Sequence, residues 1–249
     1  MKYEIKCNYM PYSFEILRQN DKDSAAAEAG EHLNLALTEN KNRPVLLVLS
    51  AGSSFAVYEY IGKAALGENI SICLLDERFS QDPAVNSFLQ FQKTEFYMDA
   101  LNADVNIFGS LPRVNESKEQ MAERWEKFLK TWTGDNPNGV IIATLGMGPD
   151  GHMGGVLPYP EDADEFRRLF EAEAWVRAYD AGNKNKYRER DALTLTFLRK
   201  INVALSFICG PDKKQKLDEV IKKQGEVYQL PALLLRELKN VKIFTDILE

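Results

Sequence analysis

The segment TLGMGPDGHMGGVLP, residues 144–158, places a histidine among glycines. Five of the chain's 15 glycines and one of its two histidines, His152, lie there. Glycines such as Gly151 adopt positive φ without strain and let a ligand approach the backbone. A neutral imidazole can take a proton from water near pH 7, and Asp150, two residues earlier, is close enough to orient it. Because a structural histidine more often has bulky neighbours, the pattern favours a catalytic one.

A second segment offers small and hydroxyl-bearing residues. SAGSSF, residues 50–55, contains Gly52, Ser53 and Ser54 directly before a predicted helix. Hydroxyls and free backbone N–H groups at a helix start attract anions. The segment fits neither G-x-G-x-x-G nor a Walker A sequence, so a nucleotide is not indicated. A plain turn with a serine cap explains it equally well.

Charged residues follow at three further places. Asp76 and Arg78 belong to the triplet DER that ends an apolar run, which is also consistent with a solvated rim. Arg190 precedes the strand-like DALTLTF, and Lys213 follows a glycine after another apolar run. Either cation could contact a phosphate from the same sheet edge. Taken singly, each is more typical of a surface cation.

The elements that would position these residues alternate along the chain. Short runs rich in Val, Ile and Leu are typical of strands buried on both faces of a parallel sheet. Apolar residues at helical spacing separate them. This alternation predicts an α/β fold, a doubly wound, mostly parallel sheet in a three-layer αβα sandwich, as one domain over 1–249. The predicted strands are 44–52, 70–77, 139–146 and 202–210, the predicted helices 22–40 and 116–132, and 180–191 is a predicted mobile loop.

Composition narrows the class of protein. The chain has 249 residues and a net charge of −6, which argues against nucleic-acid binding through overall charge. It contains no apolar run long enough for a membrane span and no signal-peptide core at its start, so a cytoplasmic protein is expected. Cys7, Cys73 and Cys209 are expected to be free thiols, the last two buried. His32, inside a predicted helix, has no partner motif.

In this order, the segments resemble the 6-phosphogluconolactonase family and its relatives, the glucosamine-6-phosphate deaminases. SAGSS is similar to S-G-G-S-T, and DER with Asp82 and Asn86 is similar to D-E-R…D…S-N. LGMGPDGHMGGVLP resembles L-G-x-G-P-D-G-H-T-x-x-L-F-P, and RDALTLTFL resembles R-V-T-L-T-L-P-V-L. GPDKKQKL and PALLLR…VKIFTD are similar to the closing motifs, so the match spans nearly the whole chain.

The resemblance implies hydrolysis of 6-phospho-D-glucono-1,5-lactone in the pentose phosphate pathway, by a Rossmann-like domain without metal or organic cofactor. It implies a phosphosugar lactone as partner, no nucleic acid or membrane, and a monomer or small homo-oligomer. His152 would activate water, with Asp150 beside it. The residues that would bind the substrate and its phosphate are Gly52, Ser53, Ser54, Asp76, Arg78, Gly151, Arg190 and Lys213.

Departures and alternatives leave the activity open. Ala51, Phe55 and Met153 replace a usual glycine, proline and threonine, and these departures bear on rate and substrate range more than on fold. A deaminase or isomerase would carry a glutamate five residues after the histidine, where this chain has Leu157. A serine hydrolase would need G-x-S-x-G, which is absent. A non-catalytic sugar-phosphate-binding protein is the remaining alternative.

Overall fold

A computed structural model describes residues 14–248 and contains two β-sheets. Seven parallel strands form the larger sheet, in the order β1-β10-β9-β6-β2-β3-β5, and the smaller one has the order β4-β8-β7. The strands are β1 Phe14–Arg18, β2 Val45–Leu49, β3 Ile70–Leu74, β4 Asp76–Arg78, β5 Asn106–Ile107, β6 Val140–Gly146, β7 Val176–Asp180, β8 Glu189–Leu193, β9 Val203–Phe207 and β10 Val241–Thr245.

Within residues 14–248, eight α-helices lie between these strands. They are α1 Lys22–Glu39, α2 Phe55–Tyr58, α3 Ser87–Phe91, α4 Glu95–Asn102, α5 Lys118–Asp135, α6 Ala163–Phe170, α7 Leu195–Leu198 and α8 Lys214–Lys222. The predicted α/β architecture, with its mostly parallel sheet between helices, is confirmed.

The four predicted strands correspond to β2, β3, β6 and β9 at the centre of the larger sheet. Every residue of β2 is fully buried, as expected for a strand with helices on both of its faces. Parallel strands all end at the same edge. The segments that follow β2, β6 and β9 therefore meet there.

The two predicted helices are also present. In α1, the Asp21 side chain accepts a hydrogen bond from the Ser24 N–H group. In α5, Ser117 and Gln120 form a capping box. The apolar stripe of α5 is buried at Met121, Trp125, Leu129 and Trp132, and Phe128 is partly buried.

The prediction for residues 180–191 was wrong in part. Asp180 ends β7, and the chain re-enters β8 at Glu189, so the connecting loop is 181–188. The strand-like segment 191–197 also divides, because β8 ends at Leu193 and α7 follows. Strands β4, β8 and β7 pair antiparallel. Arg190 consequently lies within a strand of the smaller sheet and not at the end of a parallel strand.

Cys73 and Cys209 are buried free thiols, as predicted, whereas Cys7 lies outside the described residues. Burial raises the pKa of each of these two thiols to about 12. Among residues 14–248, no helix combines the length and the apolar character needed to cross a bilayer.

Candidate active site

A polar cavity of about 220 Å³ lies at the edge where β2 and β6 end, and the smaller sheet forms one of its walls. Ligands of open α/β sheets bind at such an edge. Six of the predicted site residues line the cavity, namely Ser53, Asp76, Arg78, His152, Arg190 and Lys213.

The segment after β6 carries the candidate base. Nδ1 of His152 lies 2.5 Å from Oδ1 of Asp150, which also accepts the backbone N–H of His152 at 3.1 Å. Burial alone would raise the pKa of the Asp150 carboxyl, but the hydrogen bond and charge of His152 hold it below its usual range. An ionised carboxylate fixes the proton of a neutral imidazole on Nδ1. The lone pair is then on Nε2, which no described residue contacts through a hydrogen bond.

Two glycines explain why this segment contains so few side chains. A Cβ atom on Gly148 would lie 2.1 Å from Cε1 of His152, so the imidazole packs directly against the backbone. Gly151 has φ of +85°, and a Cβ there would lie 2.2 Å from Leu230 Cδ1. Its carbonyl accepts a hydrogen bond from the Ala232 N–H group. Gly148 therefore makes room for the base, and Gly151 makes the turn that presents it.

The segment after β2 forms a second wall. Ser53 lies in a 3₁₀ turn over Gly52–Ser54 and faces the cavity. Ser54 is fully buried, and its hydroxyl has no partner among the described residues. The buried Tyr58 hydroxyl donates to the Ser50 carbonyl at 2.6 Å. This bond fixes the point at which the chain leaves the sheet.

The DER triplet distributes its charges between the two faces of β4. Asp76 and Arg78 line the cavity, whereas Glu77 is fully buried behind it. The Glu77 carboxylate accepts the N–H groups of Ser87 at 2.6 Å and Phe88 at 2.8 Å. Burial raises the pKa of Glu77 to about 7, and these hydrogen bonds oppose the rise. Glu77 thus holds the start of α3 against the smaller sheet.

Arg190, on β8, is 4% exposed and forms an ion pair with Asp76. Because this ion pair matches its charge, Arg190 is not a free cation. Its Nε atom is buried and has no partner among the described residues. The predicted cation is therefore in the cavity, but with a counter-ion that the sequence did not indicate.

Arg78 and Lys213 are the cavity cations that have no carboxylate partner among residues 14–248. Arg78 donates from Nη1 to the Val85 carbonyl at 3.0 Å. Lys213 ends a 3₁₀ turn just before α8, and burial lowers the pKa of its ammonium group. Three cations and one carboxylate line the cavity, an excess of two positive charges in a chain of net charge −6. Such a cavity favours a small anion.

Four predicted residues do not line the cavity. Gly52 starts the turn that presents Ser53, Ser54 lies beneath it, Asp150 supports His152, and Gly151 packs under Leu230. Eight residues that were not among the predicted site residues also line it, namely Ser50, Ala51, Ser87, Gly146, Met147, Gly148, Pro149 and Gly154. All of them except Ser87 lie inside the segments 50–55 and 144–158. Ser87, at the start of α3, lies at the cavity because its N–H group is bound by the Glu77 carboxylate, a contact that the sequence does not reveal.

This geometry defines the chain as an α/β protein with a histidine–carboxylate pair at a positively charged cavity. The chain belongs to the family of glucosamine-6-phosphate isomerases and 6-phosphogluconolactonases, whose model matches residues 20–244. No curated protein sequence matches the chain.

Solved structures share the fold. The chain is similar to a 6-phosphogluconolactonase from Plasmodium vivax, with 14% identity, a TM-score of 0.73 and coverage of 96% of this chain and 92% of that one. The chain is also similar to a 6-phosphogluconolactonase from Thermotoga maritima, with 23% identity, a TM-score of 0.70 and coverage of 92% of this chain and 97% of that one. A monomeric glucosamine-6-phosphate deaminase is similar as well, with 16% identity, a TM-score of 0.72 and coverage of 92% of this chain and 96% of that one. At these identities the likeness shows the fold and leaves the reaction open.

Proposed function

We propose that this protein hydrolyses 6-phospho-D-glucono-1,5-lactone to 6-phospho-D-gluconate. The observation that carries the proposal is the Asp150–His152 pair at the edge of a cavity with excess positive charge. Family membership supplies the substrate class, since the family's description includes 6-phosphogluconolactonase.

His152 is the general base of the proposed reaction. Its Nε2 atom takes a proton from water as the water oxygen attacks the lactone carbonyl carbon. Asp150, hydrogen-bonded to Nδ1, stabilises the imidazolium that forms. The proton then passes to the ring oxygen as the C–O bond breaks, which gives the open-chain acid. A backbone N–H group at the cavity stabilises the intermediate oxyanion.

The phosphate binds away from the reacting carbon. Ser53, Arg190 and Lys213 supply hydroxyl and charged donors for it, and Arg78 completes the positive wall. The binding energy of a remote phosphate positions the carbonyl next to the base. Because a lactone is already reactive, one base and correct positioning suffice.

A deaminase is the second candidate, because a glucosamine-6-phosphate deaminase has the same fold. That chemistry needs an ionisable group beside the histidine to move a proton between carbons. Leu157 occupies the position at which the relatives carry glutamate, and it is fully buried. A buried leucine cannot transfer a proton, and this supports the lactonase.

The deciding experiment measures lactone hydrolysis, corrected for spontaneous opening, on lactones with and without the 6-phosphate. We expect wild-type protein to accelerate opening of the phosphorylated lactone, and His152→Ala to lower kcat by roughly 10²–10⁴-fold. The matched control is His32→Ala, because His32 is the chain's other histidine and lies outside the cavity on α1. Near-wild-type turnover in folded His152→Ala protein would remove His152 from the mechanism.

The deaminase is tested separately by ammonia release from glucosamine 6-phosphate. We expect none above the His152→Ala background. Sustained release would refute the lactonase proposal. Absence of both activities, with retained binding of 6-phosphogluconate, would favour a non-catalytic phosphosugar-binding protein.

A further inference from the structure

The Arg78 guanidinium has few contacts for a half-buried cation. It donates one hydrogen bond, to Val85, and its Nε atom is buried without a partner in the described chain. The neighbouring carboxylates are engaged elsewhere, Asp76 with Arg190 and Glu77 on the opposite face of β4. Something other than an ion pair must therefore set the orientation of this side chain.

The contact that remains is an aromatic ring. Arg78 Cζ lies 4.7 Å from the centroid of the Tyr187 ring, which comes from the β7–β8 loop. Within about 6 Å, the face of an aromatic ring attracts a guanidinium. Lys186 lies 4.6 Å from the same ring but is exposed, and its hydration weakens that second contact.

The loop that carries Tyr187 is held at both ends. Arg188 donates two hydrogen bonds to Asp180, at 3.0 and 2.7 Å, and its carbonyl accepts the Ala181 N–H group. The Tyr187 N–H group donates to Asn185 Oδ1 at 3.0 Å. A loop fixed in this way presents the ring in one place, which is the requirement for orienting another side chain.

We propose that Tyr187 is a positioning residue for Arg78: its ring holds the guanidinium in the orientation that contacts the anionic ligand. The inference rests on the proposed function for the identity of that ligand. Tyr187 itself does not line the cavity. It acts through Arg78, and its removal should weaken ligand binding without removing a catalytic group.

The test compares Tyr187→Leu, which removes the ring, with Tyr187→Phe, which keeps it. The probe is 6-phosphogluconate, whose Kd is measured by calorimetry alongside KM and kcat for the lactone. We expect Tyr187→Leu to raise Kd and KM by about 3–10-fold with little change in kcat, from the usual strength of such contacts. Tyr187→Phe should stay close to wild type, because the ring face is retained.

Two further variants separate positioning from general loosening of the loop. In an Arg78→Ala background, Tyr187→Leu should cause no additional loss, whereas additive losses would overturn the proposal. Lys184→Ala is the matched control, because Lys184 anchors the same loop through Glu161 and the Tyr159 ring. An equal rise in Kd in Lys184→Ala would assign the effect to loop anchoring and refute the role of the ring.

A readout that does not depend on the reaction keeps the proposal distinct from the proposed function. The Arg78 Nε–Hε NMR signal, assigned with Arg78→Lys, should be shifted by the ring current and lose that shift in Tyr187→Leu but not in Tyr187→Phe. If the protein neither hydrolyses the lactone nor binds 6-phosphogluconate, the proposed function fails. The NMR signal still shows in that case whether the Tyr187 ring holds the Arg78 guanidinium. An Arg78 signal unchanged in Tyr187→Leu would overturn the positioning role.

Discussion

Asp191 offers a stability prediction that can be worked out from the structure. The side chain is fully buried, and neither carboxyl oxygen has a hydrogen-bond partner among the described residues. Glu77, its register partner on β4, is a second buried carboxyl. The start of α5 brings Glu116, Lys118 and Glu119 close enough to act on its charge. Burial, reinforced by Glu119 and Glu77 and opposed by Lys118, raises the pKa of Asp191 from 3.8 to about 8.

The sign of the effect follows from this pKa. Because the folded state holds the proton more tightly than the unfolded state, the free energy of unfolding falls as pH rises from about 4 to about 8, and levels off above that. At pH 7 the free energy of unfolding is lower than at acidic pH by about 4 kcal/mol, because roughly three pKa units contribute about 1.4 kcal/mol each. Asp191→Asn removes the titration. The amide it leaves unpaired adds a penalty that does not change with pH.

The assay is urea unfolding of wild type and Asp191→Asn, followed by circular dichroism between pH 5 and pH 7. The free energy of unfolding of Asp191→Asn, relative to that of the wild type, should increase by roughly 3 kcal/mol over these two pH units. Asp135→Asn, on the exposed end of α5, is the control and should show no such growth. A difference between wild type and Asp191→Asn that stays constant with pH would refute the reasoning, because it would mean that Asp191 is ionised in the folded protein.

Two predictions concern the cavity. Lys213→Ala should raise KM for the phosphorylated lactone by the equivalent of about 1.5–3 kcal/mol of charged hydrogen bonding. Lys214→Ala, outside the cavity, should not do so, and an equal loss with an unphosphorylated lactone would contradict phosphate binding by Lys213. Gly148→Ala should displace the His152 ring and lower kcat by about 10–100-fold. The control is Gly134→Ala on α5, where the added Cβ would lie in open space. An unchanged kcat in Gly148→Ala would show that the His152 ring can shift without loss of activity.

The larger sheet could be predicted because strands buried on both faces consist of continuous apolar residues. The smaller sheet could not. Its first strand, β4, has three residues, and β8 reads ERDAL, with buried charges where a strand pattern would require apolar residues. Arg190 finds its counter-ion only across the sheet, in Asp76, and Asp191 has no hydrogen-bond partner among the described residues, so propensity alone reveals neither as part of a strand.

The same distinction applies to the site. The Asp150–His152 pair was predictable because two residues of spacing place the groups in contact. The Asp76–Arg190 ion pair joins positions 114 residues apart, and only the antiparallel register of β4 and β8 brings them together. The role of Tyr187 could not be predicted, because a tyrosine in a polar loop is common and only the structure shows that its ring contacts Arg78.

The alternation of faces along β4 makes the spacing of the DER triplet a condition of both binding and folding. A one-residue insertion or deletion just before Asp76 would exchange the two faces of the strand. It would turn Glu77 toward the cavity and move Asp76 and Arg78 to the opposite face, which lowers the excess of positive charge in the cavity from two to one. Natural length variation should therefore be tolerated in the 79–86 connection but not between β3 and Arg78, and engineered grafts of this site must transfer β4 and β8 as one unit.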